Sequence, residues 1–418
     1  MKIGIIGLGD MGKLYAIKFA ETGLEVFGCD LPERKQNLTD ELAPYGIVVL
    51  DDGLEVSKLC DFIFYAVEAE KIAEVVAACA LSTKVGAIVT GMTSVKTPEI
   101  EAFEKYLPKE IELIITHSLH GAGFKTKGQK LIVAPHRISN ESYLIAKNIL
   151  AKLESEMIEL NDYHQHDQIM ADTQAVTHMG FESMGTAWKN AGCYPWESGA
   201  YVSGIDNVKI LTTLRIFSYK AHVYSGLAIL NPYASKQISA YARSESELFK
   251  MMIQEDEGNF RDRIYRARDY VFHGQTNLIL FDDQIMKEFS IGSNVELAKS
   301  NSHLSLLAMV DAWYQLGINP YDNLICQTPP FKLRLGIVEY LFKNETLLED
   351  TIQTALFDKS IRGDDLEFHT AVREWASLIK YKDMEGYKTH FKEAKDFFEP
   401  LLEKGRIQSA ELIRRLSL

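Results

Sequence analysis

The feature that most constrains this chain is a glycine pattern that directly follows its first apolar segment. Residues 3–6 are apolar, Gly7-Leu8-Gly9-Asp10-Met11-Gly12 comes next, and an amphipathic segment follows. A GxGxxG sequence between a strand and a helix is typical of a turn that binds the pyrophosphate of a dinucleotide. Gly7 permits the tight turn, Gly9 lets the backbone approach the phosphates, and Gly12 lets the helix pack closely on the strand. We therefore predict a cofactor-binding turn made of Gly7, Leu8, Gly9, Asp10, Met11 and Gly12.

Short apolar segments alternate with amphipathic segments through the first third of the chain. This alternation predicts a parallel sheet with helices on both faces, the doubly wound or Rossmann arrangement. Long helical patterns dominate from His166 onward and predict an all-helical second domain. We predict a dinucleotide-binding domain at residues 1–155 and a helical substrate and dimerisation domain at residues 156–418. The predicted strands are residues 3–6, 24–29, 61–67, 86–90, 111–116 and 130–134, and the predicted later helices include residues 167–190, 207–230, 233–253, 302–316 and 332–342.

Charge and composition exclude several classes of protein. The formal net charge is −13, and an acidic surface repels phosphate backbones, so we expect no nucleic-acid partner. We find neither an apolar run long enough for a membrane helix nor a secretory signal, and we expect a cytoplasmic protein with no membrane partner. The five cysteines are widely spaced, which argues against a disulfide framework and against a zinc site. We therefore predict no metal.

The residues after two further strands bear on the cofactor. Asp30 follows the second strand, where an acid usually binds the adenosine ribose, and this favours NAD. Arg34 and Lys35 come shortly afterwards and are suited to hold a 2′-phosphate, which favours NADP. These residues by themselves leave both cofactors open. At the carboxyl end of the next strand, the residues predicted to pass near the bound cofactor are Ala66, Val67 and Glu68.

Polar residues at two other strand ends are the catalytic candidates. Ser94 lies in a polar segment after residues 86–90, and His117 is the first residue beyond the predicted strand 111–116. Oxidation of an alcohol needs a base for the hydroxyl proton, and histidine suits this role near neutral pH. His117 is therefore the predicted base. A third polar group lies on the first long helix of the second domain and comprises His166, Gln174 and His178, of which the last two share a helix face.

Over nearly the whole chain, these segments resemble the prephenate dehydrogenase family, and most closely its fungal NADP-dependent type. Thr93-Ser94-Val95-Lys96 resembles the family's Gly-Ser-Val-Lys segment, with Thr93 in place of the glycine. His117–Gly121 resembles its His-x-x-x-Gly segment, with Ser118 where proline is usual. The region from His166-Asp167 to His178 resembles the start of its helical dimerisation domain. Three later segments are similar to the fungal enzymes, namely Cys193-Tyr194-Pro195-Trp196, Asn301–Leu307 and Asp364–Phe368.

The resemblance implies an oxidative decarboxylation in tyrosine biosynthesis, carried out by a homodimer. His117 would take the proton of the C4 hydroxyl of prephenate, and hydride would pass from C4 to NADP. Loss of the ring carboxylate as carbon dioxide would leave 4-hydroxyphenylpyruvate. Ser94 would orient the reacting groups, and His178 and Gln174 would bind the substrate.

The resemblance also exposes one departure from the family. Gly226 stands at the position of the arginine with which the family holds a substrate carboxylate. His222 and Arg215 lie on roughly the same face of the predicted helix 207–230. Either of them, or another basic residue, would take the arginine's role.

Two other classes of protein remain open at this stage. A 3-hydroxy acid or 6-phosphogluconate type dehydrogenase usually carries a catalytic lysine on the first long helix of its second domain. Here that helix offers His166, Gln174 and His178, with Lys189 only at its far end. A non-enzymatic redox sensor that binds the dinucleotide would be indifferent to replacement of His117, whereas an enzyme would lose turnover.

Overall fold

The computed structural model describes residues 1–194, 204–275, 279, 301–324 and 328–416. The chain divides into two compact units, of which the first comprises Met1–Gln168 with Leu230–Pro232. The second comprises Ile169–Ile229 with Tyr233–Leu418. Pro195 and Trp196, which belong to one of the family-like segments, lie outside the described residues.

The first unit contains one sheet of eight strands, and their spatial order is β3-β2-β1-β4-β5-β6-β7-β8. Strands β1 to β6 are parallel to one another, which confirms the doubly wound domain. β7 runs antiparallel to β6, and β8 is parallel to β7, so the prediction of an all-parallel sheet is wrong at this edge. A parallel crossover usually needs a helix, and residues 119–129 form none. The strands are β1 (Lys2–Ile6), β2 (Glu25–Cys29), β3 (Val48–Val49), β4 (Phe62–Tyr65), β5 (Ile88–Gly91), β6 (Glu112–Ser118), β7 (Lys130–Arg137) and β8 (Glu156–Glu159).

Alternate residues of the strands enter two cores, one on each face of the sheet. In β4, Phe62 and Phe64 belong to one core and Ile63 and Tyr65 to the other, and all four are fully buried. Central parallel strands are buried on both faces, which explains their continuous apolar sequences. Helices therefore cover both faces, as predicted. Those on the first face are α1 (Asp10–Glu21), α2 (Lys35–Leu42) and α6 (Asn140–Leu150), and those on the second are α3 (Gly53–Leu59), α4 (Ile72–Cys79) and α5 (Thr97–Tyr106).

Pairing with neighbouring strands extends the sheet beyond its predicted limits. β6 continues through His117 and Ser118, because they pair with Ile132 and Leu131 of β7. His117 is therefore held inside a strand, and its predicted position just beyond the strand is wrong. β8 pairs with β7, so the sheet also continues past the predicted domain boundary after residue 155.

The described part of the second unit is helical and contains no strand, which confirms the second domain's predicted class. One predicted helix, residues 207–230, is wrong, because the chain leaves helical geometry at Lys220 (φ −89°, ψ 133°). The helices are α7 (Tyr163–Ala191, whose first residues belong to the first unit), α8 (Gly204–Phe217), α9 (Ala221–Ser225), α10 (Ala234–Gln254), α11 (Glu257–Phe272), and then Leu304–Leu316, Pro329–Lys343, Glu345–Phe357, Arg362–Lys380 and Met384–Leu416. In the part of the chain that the structure describes, no helix is long and apolar enough to cross a membrane.

Candidate active site

The glycine turn between β1 and α1 lies where the strand order reverses, the position at which doubly wound sheets bind ligands. Gly7 has φ +100°, and a Cβ there would come within 2.5 Å of the Ala66 carbonyl oxygen. A Cβ at Gly12 would come within 2.0 Å of the Gly7 carbonyl oxygen. A Cβ at Gly9, in contrast, would meet nothing within 4 Å. Two glycines are thus required by the protein's own packing, while the third faces open space.

The start of α1 matches the requirements of a pyrophosphate site. Gly9 is the N-cap and supplies no side-chain hydrogen bond to the helix, so the first backbone N–H groups are available to an anion. Leu8 is fully buried and Met11 packs against the same core, so these two side chains anchor the turn to the core of the first unit. Asp10 is exposed in the first helical turn. The cradle therefore fits a dinucleotide.

The residues after β4 border this turn. Ala66 and Val67 are half-buried, and the Ala66 carbonyl faces Gly7. Glu68 is exposed and precedes α4 by several residues, so it lies in a loop and not in the first turn of a helix.

Asp30 and Arg34 form an ion pair beside the same turn. Arg34 Nη1 donates to Asp30 Oδ2 at 2.8 Å, and the backbone N–H of Leu31 donates to Asp30 Oδ1 at 2.8 Å. Arg34 Nη2 also donates to the Leu8 carbonyl at 3.4 Å. Lys35 instead forms an ion pair with Asp51. Arg34 therefore neutralises the charge of Asp30, and its guanidinium lies next to the glycine turn.

Side-chain hydrogen bonds hold the ends of β5 and β6 side by side. The hydroxyls of Thr90 and Thr116 are 3.0 Å apart, and Thr116 Oγ1 donates to the Gly91 carbonyl at 3.3 Å. The segment that carries Ser94 thus begins next to His117, and both residues are half-buried. Among the hydrogen bonds of the described residues, none joins Ser94 to His117.

A buried ion pair shapes the Ser94 segment. Lys96 Nζ lies 3.0 Å from Glu99 Oε1, and both side chains are fully buried. Glu99 also accepts a hydrogen bond from Thr93 Oγ1 at 2.7 Å. A Cβ at Gly91 would lie 2.0 Å from the Glu99 carboxyl carbon. The glycine therefore makes room for this pair, which fixes the turn between β5 and α5.

His117 is the first member of a hydrogen-bonded series of three side chains in the first unit. Its Nδ1 lies 2.8 Å from His166 Nε2, and His166 Nδ1 lies 2.8 Å from Asp167 Oδ1. His166 and Asp167 are both fully buried, whereas His117 is half-buried. The Nδ1 edge of His117 is therefore engaged, and its Nε2 edge is left for a ligand.

Asp167 is bound from several directions. Besides His166, its carboxylate accepts hydrogen bonds at 2.7 Å from the Lys96 N–H, the Thr97 N–H and Thr97 Oγ1. Burial by itself would raise the pKa of Asp167, but these donors hold the pKa below its ordinary value. Asp167, a residue of α7, thus places a buried carboxylate against the N-terminus of α5, where the helix dipole also favours negative charge.

The surroundings of His117 favour its neutral form. Burial lowers the pKa of His117 well below its ordinary value, and His166, Lys96 and His120 act in the same direction. Burial likewise lowers the pKa of His120. Nε2 of His120 is buried without a hydrogen-bond partner among the described residues. A second neutral imidazole close to His117 therefore has a ring nitrogen open to a bound molecule.

The candidates predicted on the first long helix of the second domain lie on α7. Gln174 and His178 are both half-buried. The ring of His178 lies 4.8 Å from that of Tyr224 and 6.0 Å from that of Phe331, measured between centroids. His166 lies on the same helix but belongs to the first unit.

Arg215 and His222 do not share one helix, contrary to the prediction. Arg215 lies near the end of α8 and donates from Nη2 to the Tyr219 hydroxyl at 2.9 Å, whereas His222 lies on α9. The break at Lys220 separates the two helices, so helical periodicity does not place Arg215 and His222 on one face.

Arg334 is a residue that the sequence analysis missed. It is buried, donates from Nη1 to Thr177 Oγ1 at 3.1 Å, and lies 4.4 Å from the centroid of the Phe331 ring. Burial lowers the pKa of His178 well below its ordinary value, and the charge of Arg334 adds to this effect. The available signal was an arginine among apolar residues in the helical pattern of residues 332–342.

A glycine turn at the switch point of a doubly wound sheet, with a histidine near the carboxyl end of another parallel strand of that sheet, places the chain among the nicotinamide-dependent dehydrogenases. Family models agree with this class. Residues 2–155 match the NAD binding domain of 6-phosphogluconate dehydrogenase. Residues 175–418 match a domain of the 6-phosphogluconate dehydrogenase C-terminal type.

Two fungal relatives identify the family. The prephenate dehydrogenase [NADP(+)] of Saccharomyces cerevisiae is 47% identical over 99% of this chain and 93% of its own length. The probable prephenate dehydrogenase [NADP(+)] of Schizosaccharomyces pombe is 44% identical over 99% of this chain and 97% of its own length. A solved prephenate dehydrogenase from Aquifex aeolicus is 16% identical, with a TM-score of 0.49 over 63% of this chain and 94% of that chain. The chain belongs to the prephenate dehydrogenase family.

Proposed function

We propose that this protein is an NADP-dependent prephenate dehydrogenase of tyrosine biosynthesis, which converts prephenate to 4-hydroxyphenylpyruvate. The observation that carries the proposal is the placement of His117. Its strand ends at the same edge of the sheet as the glycine turn, and its Nδ1 is engaged by His166. A base for a substrate hydroxyl thus stands on the cofactor-binding edge of the sheet. The names of the two fungal relatives support the same activity.

His117 acts in this proposal first as a base and then as an acid. Its Nε2 takes the proton of the C4 hydroxyl while the C4–H bond gives its electron pair away as hydride. The bound nicotinamide supplies the hydride acceptor. The C1–carboxylate bond then breaks, its electron pair makes the ring aromatic, and carbon dioxide leaves. The protonated imidazole returns its proton to the phenolate oxygen, so His117 ends the cycle neutral. Ser94 is proposed to orient the hydroxyl or His117.

The glycine turn and Arg34 are proposed to bind NADP. The backbone N–H groups at the start of α1 face the pyrophosphate, whereas the Gly7 N–H donates to the Cys29 carbonyl at 2.9 Å. Arg34 binds the 2′-phosphate. Asp30 would repel that phosphate if its carboxylate were free, but Arg34 neutralises the carboxylate. Asp30 keeps Arg34 in place, and Ala66, Val67 and Glu68 border the adenosine side.

Residues of the second unit are proposed to bind the substrate, which carries two carboxylates. His178 and Gln174 keep the role that the family resemblance implies. Arg334 is proposed to hold a carboxylate in preference to Arg215 or His222, because its charge acts directly on His178. Replacement of Arg334 by Gln is expected to raise the KM for prephenate at least tenfold and to leave the KM for NADP unchanged. Arg373→Gln, an exposed arginine of the same unit, is the control.

The protein is further proposed to be a cytoplasmic homodimer. The second unit comprises residues 169–229 and 233–418, more chain than a substrate site requires. Sedimentation equilibrium of the full chain tests this assembly, and a mass of one chain across the working concentration range would contradict it.

An absorbance assay of nicotinamide reduction with prephenate, run in parallel with NADP and NAD, tests the proposed function. We expect NADP reduction accompanied by one carbon dioxide per NADPH. We also expect His117→Ala to lose nearly all turnover while it still binds NADP. Reduction of neither cofactor would refute the activity. Cofactor binding that is insensitive to prephenate, with no reduction, would favour a redox sensor.

A further inference from the structure

We propose that His166 and Asp167 are positioning residues that set the tautomer of His117 and stabilise its protonated form. This inference rests on the proposed role of His117 as the base. The three side chains form an unbroken series, with 2.8 Å between His117 and His166 and 2.8 Å between His166 and Asp167. None of the sequence patterns links His117 to Asp167, since 49 residues separate His117 from His166.

The carboxylate of Asp167 determines the tautomers of His166 and His117. An ionised carboxylate only accepts hydrogen bonds, so Nδ1 of His166 must carry the hydrogen that faces Asp167. A neutral imidazole has one donor and one acceptor nitrogen, so Nε2 of His166 accepts. Nδ1 of His117 must then donate, which leaves Nε2 of His117 with a lone pair. Asp167 thus selects the only tautomer of His117 that accepts a proton at Nε2.

The same series stabilises charge. When His117 takes the substrate proton, its positive charge is attracted to the Asp167 carboxylate, two hydrogen bonds away. His166 and Asp167 are fully buried, so water screens this attraction poorly. Only one proton moves, from the substrate oxygen to His117 Nε2 and back. His166 and Asp167 keep their own protonation states throughout.

Asp167 also supports the start of α5, independently of its contact with His166. Its carboxylate receives the N–H groups of Lys96 and Thr97 at the start of α5. Its backbone carbonyl accepts a hydrogen bond from Asn231 Nδ2 at 2.8 Å. A variant of Asp167 therefore disturbs both α5 and the imidazole series. A variant of His166 breaks the series while it leaves these helix contacts in place.

The experiment compares four variants of the full chain. His166→Leu breaks the series, and His166→Gln keeps an oxygen that accepts from His117 Nδ1 but conveys no charge. Asp167→Asn removes the carboxylate. Thr97→Val is the matched control, because it removes one donor to Asp167 and leaves the imidazole series intact. Thermal melting and NADP binding establish that each variant is folded.

The expected kinetic result is a loss of kcat with little change in binding. A related effect, in which the orienting carboxylate of a catalytic histidine is replaced by an amide, lowers kcat by roughly 10⁴-fold. We expect about 10²- to 10⁴-fold losses for His166→Leu and Asp167→Asn, a smaller loss for His166→Gln, and near wild-type turnover for Thr97→Val. The KM for NADP stays within about twofold in all four, because none of these residues belongs to the glycine turn.

The pH profile separates positioning from mere structural support. Without the carboxylate, the protonated form of His117 is less stable, so the acidic limb of kcat/KM moves to lower pH in Asp167→Asn. The other groups that act on His117 are His166, Lys96 and His120, and all three are unchanged in this variant. A purely structural role lowers activity without moving this limb.

A measurement on the apoprotein keeps the two proposals distinguishable. Nitrogen-15 NMR of the imidazole groups is expected to show His117 with hydrogen on Nδ1 in the wild type and a mixture of tautomers in His166→Leu. An unchanged tautomer in His166→Leu and an unchanged pH limb in Asp167→Asn would overturn the positioning role even if the enzyme reduces NADP. The expected tautomer in a protein that does not oxidise prephenate would instead overturn the proposed function and leave the series intact.

Discussion

At the scale of single residues, the pairing of Arg34 with Asp30 is the feature from which we propose how the adenosine end of the dinucleotide binds. An acid at this position ordinarily binds a ribose hydroxyl. Here its carboxylate is occupied at 2.8 Å by a guanidinium four residues later. The ion pair has no net charge, whereas a free Asp30 would present a negative charge that repels a phosphate. We propose that this short segment selects between two cofactors that differ by a single phosphate.

Arg34→Ala is expected to reverse this selection. The KM for NADP should rise about tenfold, the size of one hydrogen bond to a charged group, while the KM for NAD falls because Asp30 becomes free to bind the ribose. Parallel titrations with both cofactors measure the ratio. Lys18→Ala, which removes an α1 charge paired with Glu154 at 2.7 Å, is the control. An unchanged NADP to NAD ratio in Arg34→Ala would show that Arg34 does not contact the phosphate.

At the scale of elements, the three glycines of the β1–α1 turn have different physical roles. Gly7 and Gly12 are confined by backbone atoms of Ala66 and of Gly7 itself, whereas Gly9 borders open space. Gly9 also has φ −70°, which an alanine adopts without strain. We therefore expect Gly7 and Gly12 to be needed for the fold and Gly9 to be needed for cofactor binding.

Gly9→Ala and Gly12→Ala are expected to differ in kind. Gly9→Ala should leave the melting temperature nearly unchanged and weaken NADP binding at least tenfold, because the new methyl group occupies the pyrophosphate position. Gly12→Ala should instead destabilise the fold by about 1–3 kcal/mol or more, because its Cβ would overlap the Gly7 carbonyl oxygen. Calorimetry of both variants with and without NADP separates the two effects. Equal losses of stability would contradict the assignment.

At the scale of the whole molecule, each unit has its own interior, and the helical one contains a buried acid that the chemistry does not use. Glu182 is almost fully buried, and the Tyr387 hydroxyl donates to its two carboxylate oxygens at 2.9 Å. Burial raises the pKa of Glu182 to about 8, although Tyr387 and Arg334 oppose the shift. The folded chain therefore holds a proton there at pH values where the unfolded chain has lost it.

This difference makes the stability of the second unit depend on pH. Between about pH 4.5 and 8 the folded state binds more protons at Glu182 than the unfolded state, so the free energy of unfolding falls as pH rises. Glu182→Gln removes this dependence, and its stability relative to wild type should grow across the window to at most about 5 kcal/mol. Tryptophan fluorescence during denaturation reports this unit, since all four tryptophans follow residue 169. Glu399→Gln, at an exposed position, should show no such trend, and a flat difference for Glu182→Gln would refute the shift.

Much of the fold follows from local patterns in the sequence. The apolar runs of β1 and β4 and the glycines between β1 and α1 predict a doubly wound domain, because strand burial and turn geometry depend on neighbouring residues. Long 3.6-residue periodicity similarly predicts the helical domain. β3 has only two residues, too few for periodicity to reveal it, and β8 begins and ends with an exposed glutamate, so it has no apolar run. The glycine turn, Arg34 and His117 could be predicted because each lies at or just after the end of a strand that its own local sequence reveals.

Contacts between distant residues were decided only by the tertiary structure. The antiparallel course of β7 draws His117 into a strand, and the approach of α7 to the start of α5 brings Asp167 to Thr97, 70 residues earlier. Arg334 reaches Thr177 across 157 residues, and the break at Lys220 separates Arg215 from His222. Local sequence determines which elements form and where the cofactor turn lies. The partners of a buried polar group depend on which elements pack together, and that choice belongs to the whole chain.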